Sequence, residues 1–153
     1  MVTILDTQED KLDILRRMRE QNLDKVVIYS LDECSDNQWL ELLKNAWALT
    51  VIKDGTPMGI GWFDNINGRT AQSHFCMFKQ HFSEVIEPGL EIIHWLEEKL
   101  DVKMLTGITP KPYRQSHQLM SHWGFNKVMD MPQACFLAKY NKHVDGVLYA
   151  RKS

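Results

Sequence analysis

The chain has 153 residues, 44% of them hydrophobic and 25% charged, with a formal net charge of -2. That size and composition fit one globular domain with a real core. The near-zero charge leaves no electrostatic footprint for nucleic acid, and no apolar run approaches the ~18 residues of a membrane span.

The start, Met1 to Asp6, has neither a basic region nor a long apolar one, so no secretory leader is expected. The three cysteines, Cys34, Cys76 and Cys135, are odd in number, far apart and outside any Cys-x-x-Cys pair. They suit a reduced, cytosolic setting.

Val2 to Leu5 reads as a first short strand. Thr7 can cap a helix whose apolar face carries Leu12, Leu15 and Met18, with Arg16, Arg17 and Arg19 toward water. Val26 to Tyr29 is short and β-branched, which predicts a strand. Ser35 and Gln38 form a capping box, and Trp39, Leu43, Ala46 and Trp47 follow at helical spacing. Asp54-Gly55 and Asn67-Gly68 favour the positive φ of hairpin turns, so three antiparallel strands are expected over Trp47–Lys53, Pro57–Phe63 and Thr70–Phe78. Gly59 and Gly61 in the middle strand suggest a bulge or the close approach of another backbone.

A helix over roughly Val85 to Leu100 presents Ile86, Leu90, Ile93 and Leu100 on one face. Pro88 suits only a first turn, so this helix is expected to start as late as residue 88. Met104 to Ile108 reads as a strand. An amphipathic helix joins it to the preceding strand, so the two should be parallel with a right-handed crossover. Pro110 and Pro112 lead into a helix over Tyr113 to Trp123, stopped by Gly124. Phe125–Met129 and Ala134–Tyr140 read as a final antiparallel pair. The expected organisation is one domain over residues 1–140 and a polar, loosely ordered tail over 141–153.

Two local motifs and this element order resemble the GNAT (GCN5-related N-acetyltransferase) superfamily. Gln80 falls on the first position of that family's Q/R-x-x-G-x-G/A loop, and Ser83 and Val85 stand where it has glycines. Trp95 matches an aromatic common late in the following helix. The second motif, N-x-x-A-x-x-L-Y-x-x-x-G-F, aligns with Tyr113 to Phe125. Ser116, Leu119, Gly124 and Phe125 fit, Tyr113 replaces the asparagine, and Met120 replaces the tyrosine that often protonates the leaving thiolate. The fold this implies is α/β, in the α+β sense. It is a mixed, mainly antiparallel twisted sheet with a central parallel pair and flanking helices.

The resemblance also implies acetyl-CoA as the acyl donor and a small-molecule or protein amine as the acceptor. Met77 and Phe78 would pair with the pantetheine arm. Gln80, His81, Ser83, Val85 and Ile86 would surround the diphosphate, with Tyr113 and Ser116 nearby on the next helix. Lys111 and Arg114 would stand within reach of a cofactor phosphate or in solvent. Ser83 and Val85 keep their N–H donors but add Cβ atoms, and Glu84 adds a negative charge. A charge at a helix N-terminus matters by about 0.3–1 kcal/mol.

A base must deprotonate the incoming ammonium. His74 and Asp64 have suitable chemistry, and a hydrogen-bonded strand histidine and a turn carboxylate are the bland alternatives. Trp62 follows the glycines and could line a cleft. His117 and His122 are five apart, off a common helical face, so no metal site is expected. A second reading keeps the fold as an interaction platform. In that reading the chain is similar to small GNAT-like proteins of tailed phages, and its partners are virion or other proteins.

Overall fold

The computed structural model describes residues 1–78 and 81–153, and only the backbone of Phe82. In chain order the elements are β1 (Val2–Ile4), α1 (Gln8–Glu20), α2 (Asp24–Val27), α3 (Asp36–Leu43), β2 (Trp47–Lys53), β3 (Thr56–Pro57) and β4 (Gly59–Asn67). There follow β5 (Thr70–Met77), α4 (Phe82–Lys99), β6 (Met104–Pro110), α5 (Arg114–His122), β7 (Asn126–Leu137), a 3-10 turn (Ala138–Tyr140) and β8 (Lys142–Lys152). Among these described residues no helix is long and apolar enough to cross a membrane.

The strands form one sheet in the order β1-β2-β4-β5-β6-β8-β7, with β3 paired to β2. Every pairing is antiparallel except that of β5 with β6. The two expected hairpins are present, and Gly55 and Gly68 supply positive φ at their turns. Gly59 has a φ of 148°, and a Cβ there would lie 2.5 Å from the Cys76 carbonyl oxygen. Only glycine allows β4 that close to β5.

Side chains alternate across the sheet and build a core on each face. On one face Ile60, Trp62 and Cys76 pack with Leu15, Met18, Trp39 and Leu43 from α1 and α3. On the other, Phe63, Leu49 and Leu105 meet Ile92, Ile93 and Leu96 of α4 and Trp123 at the end of α5. Trp39 and Trp123 are among the largest fully buried side chains, as their helical spacing suggests. Thr7 caps α1 by accepting from the Asp10 N–H, and Ser35 with Gln38 closes the capping box of α3.

Three expectations are corrected. Val26–Tyr29 is not a strand. The Val27 N–H donates to the Leu23 carbonyl and the Ile28 N–H to that of Asp24, which makes the short helix α2. β-Propensity measures fit to a pleated neighbour, and among the described residues no strand pairs with this segment. Helix α4 starts at Phe82, before the expected start between Val85 and residue 88, so Pro88 lies inside it. Trp123 packs against this part of the helix: its indole N–H donates to the Ile86 carbonyl at 2.9 Å, and its ring lies against Gly89. Residues 142–152, read as a loose tail, are strand β8. It lies between β6 and β7 and pairs with both, so the final hairpin is β7 with β8.

Candidate functional site

Strands β5 and β6 are paired only from Thr70↔Met104 to Gln72↔Thr106. The Ser73 hydroxyl adds a last stitch, donating to the Thr106 carbonyl at 2.8 Å. Beyond it β5 continues to Met77 and β6 to Pro110 without pairing to each other. A cavity of about 190 Å³ opens in this fork. Phe75 and Met120 line it from the α4/α5 face, and His74, Val26 and Tyr29 from the α1–α3 face, so it passes through the sheet.

The backbone of β5 faces the fork with a free edge. The Phe78 N–H donates to the Met58 carbonyl at 3.1 Å, on the β4 side, just before that strand begins. Hydrogen-bonding direction alternates along a strand, so Phe75 and Met77 turn their N–H and C=O groups the other way, toward the cleft. An extended ligand could pair there as a further strand would. Met77 is thus a backbone partner for such a ligand, whereas the Phe78 amide is already committed and its side chain is buried in the other core.

The turn that follows lies partly outside the described residues, and Gln80 is among those outside. His81 stands at the N-cap of α4 without a side-chain cap bond, and the Glu84 N–H donates back to the His81 carbonyl at 2.8 Å. That amide is therefore not free for an anion. His81 and Ser83 are exposed, Ile86 is half-buried, and Val85 is buried. Tyr113 and Ser116, at the start of α5, line the cavity.

The two residues considered as bases meet. His74 Nε2 lies 2.8 Å from Asp64 Oδ1, and both side chains are partly buried. The register explains it. Trp62 is opposite His74 and Asp64 opposite Gln72, so Trp62, Asp64 and His74 share one face of the hairpin. The Trp62 ring stacks on the His74 imidazole at 5.0 Å with 12° between planes. Trp62 is itself 3% exposed, so it backs the histidine rather than lining the cleft. With Nε2 committed to the carboxylate, Nδ1 is the nitrogen left for proton transfer.

Where many acetyltransferases of the resembled family have a tyrosine, Met120 reaches to Gly107, and its Cε would lie 2.7 Å from a Cβ built there. Small and flexible, these two set the width of the fork. A further polar pair was not anticipated from the sequence. His117 Nδ1 lies 2.6 Å from the Tyr149 hydroxyl, and Nε2 is 3.1 Å from the Pro110 and Lys111 carbonyls. The carbonyls require Nε2–H, so Nδ1 accepts from Tyr149, and the pair ties the end of β6 to α5 and β8. The spacing of 32 positions hides it from any local motif. Burial raises the Tyr149 hydroxyl above its usual range, opposed by Lys127, which keeps it a donor. Burial also pushes the Cys76 thiol up to about 12 and raises Cys34. Both are poor nucleophiles.

No protein-family model and no curated protein matches the sequence. Solved structures do match over nearly the whole chain. An N-acetyltransferase from Staphylococcus aureus Mu50 is 13% identical at a TM-score of 0.79, covering 99% of this chain and 96% of that one. The fold is the GNAT fold. A point mutant of spermidine N-acetyltransferase SpeG from Vibrio cholerae is 12% identical at 0.78, covering 99% and 94%. The ribosomal L7/L12 α-N-protein acetyltransferase RimL, in complex with coenzyme A, is 14% identical at 0.76, covering 99% and 93%. At such identities the likeness concerns the GNAT fold, and the chemistry rests on this chain's own residues.

Proposed function

We propose that the chain is an acyl-CoA-dependent N-acyltransferase acting on an amine. The observation that carries this reading is the cleft through the sheet, with an unpaired β5 edge along it and the His74–Asp64 pair at its α1–α3 mouth. The structural neighbours support it, since their names describe acetyl transfer to amines and one holds coenzyme A. The cleft suits a thioester arm. The turn suits a diphosphate less well, because Glu84 is acidic and its amide is taken.

Bound acyl-CoA would supply the activated carbonyl and a thiolate leaving group. Phe75 and Met77 would hold the arm through backbone hydrogen bonds. His74 would take a proton from the acceptor ammonium at Nδ1, so that the free amine attacks the carbonyl carbon as the C–S bond breaks. Asp64 would fix the tautomer and steady the imidazolium. Met120 offers no proton to the departing sulfur. An alkyl thiol of pKa near 8.5 leaves well as thiolate, so water at the open cleft can protonate it afterwards. Holding amine and thioester together supplies much of the acceleration.

Thiol release from acetyl-CoA with a panel of primary amines tests the assignment. His74→Ala should lower the turnover of the best acceptor by about 100- to 10,000-fold. Asp64→Asn should have a smaller effect. Unchanged turnover in His74→Ala would remove the histidine from the mechanism.

A further inference from the structure

The cleft continues on its α1–α3 side into a second groove of about 380 Å³, which shares Val26, Tyr29 and Tyr113 with it. Its walls are α2 and the 3-10 turn, joined where the Ala138 N–H donates to the Tyr29 carbonyl at 2.9 Å. Tyr29 and Tyr113 meet edge to face at 6.2 Å, so the floor is aromatic. The rim is charged. Lys25 stands on α2 and Lys139 on the turn, with Asp24 the acid facing them among the described lining residues. Lys139 and Lys142 hold their ammonium groups 5.5 and 5.9 Å from the Tyr140 ring. Tyr140 is exposed and already has two cations of this chain near its ring. None of these three lysines has a carboxylate partner among the described residues.

We infer that this groove holds the far end of the acceptor, and that the acceptor is an amine carrying an anionic group, a carboxylate or a phosphate, on a flat or apolar body. The inference rests on the proposed transfer only in placing the amine toward His74. The aromatic floor takes the body, and the unpaired lysines take the anion. A polyamine would bring a second positive charge against Lys25 and Lys139, and like charges at a rim select against it.

Two probes of similar size, with the same aminomethyl end and opposite charge at the far end, separate the possibilities. These are 4-(aminomethyl)benzoate and 4-(aminomethyl)benzylamine, with 3-aminopropyl phosphate as the phosphate arm. Their binding is measured by calorimetry with and without acetyl-CoA. The benzoate should bind about tenfold or more tighter than the diamine at low salt, and the gap should shrink as salt rises. Lys25→Glu/Lys139→Glu should abolish or invert the preference, and Lys25→Gln/Lys139→Gln should reduce it. Comparison with the phosphate arm tells which anion is preferred. Equal or tighter binding of the diamine, or a preference untouched by the substitutions, overturns the inference. Thiol release is read separately. Tight benzoate binding without transfer would sink the proposed chemistry while leaving the groove assignment standing.

Discussion

His74 and Asp64 are 10 positions apart, and each stands out in the sequence without the other. Their pairing depends on the hairpin register and on the shift between Asp64 and Asn67, neither of which a residue pattern encodes. Trp62 is similar. Its place after two glycines pointed at a cleft, and its ring instead backs the His74 imidazole. The Tyr149–His117 pair was illegible because Tyr149 fell in a segment read as tail. Gly89 offers a test at this scale. In an isolated helix, alanine there would be favoured by roughly 1 kcal/mol. A Cβ at this site would land on the Trp123 indole. Gly89→Ala should therefore destabilise the fold by about 1–3 kcal/mol, the usual cost of overpacking. A thermal melt checks it, and a raised midpoint would refute the packing described.

Among elements, the helices with caps and the hairpins with Asp-Gly and Asn-Gly were legible, because those signals are local and chemically specific. Three others were not. The β-branched run of α2 mimicked a strand that has no neighbour to pair with. Pro88 looked like a helix start, yet α4 runs through it where Trp123 packs. Strand β8 hid because His143, Asp145 and Lys152 made it look polar, while Val147 and Tyr149 face the core and its partners lie far off in sequence. Strand β8 joins β6 to β7 and carries Arg151, which donates to Glu97 at 3.0 Å and to the Trp123 carbonyl at 3.1 Å. Truncation after Tyr140 should remove the cooperative unfolding transition seen by near-UV circular dichroism. A truncated chain that melts like the full one would mean that β8 is dispensable, contrary to its place in the sheet.

At the scale of the whole molecule, a single sheet separates two cores and is divided where β5 leaves β6. The fold's resemblance was legible from element order and the Gly124-Phe125 stop. The cleft itself was not legible from the residues, since no local residue pattern states where two parallel strands part. The division gives the molecule a passage from the α4/α5 side, where the donor would enter, to the α1–α3 side, where the amine would wait. The same geometry without ligand binding would suit an interaction platform. The two accounts differ in one quantity.

That quantity is the affinity for acetyl-CoA, measured by calorimetric titration of the intact chain and of Gly107→Val. A valine at 107 would crowd Met120 and Ser73 at the throat of the fork. The account predicts binding at a Kd of about 1 mM or tighter for the unaltered chain, worth at least ~4 kcal/mol, and a loss of at least about tenfold in the variant. No heat and no thermal shift at millimolar acetyl-CoA, or equal binding by Gly107→Val, would contradict it.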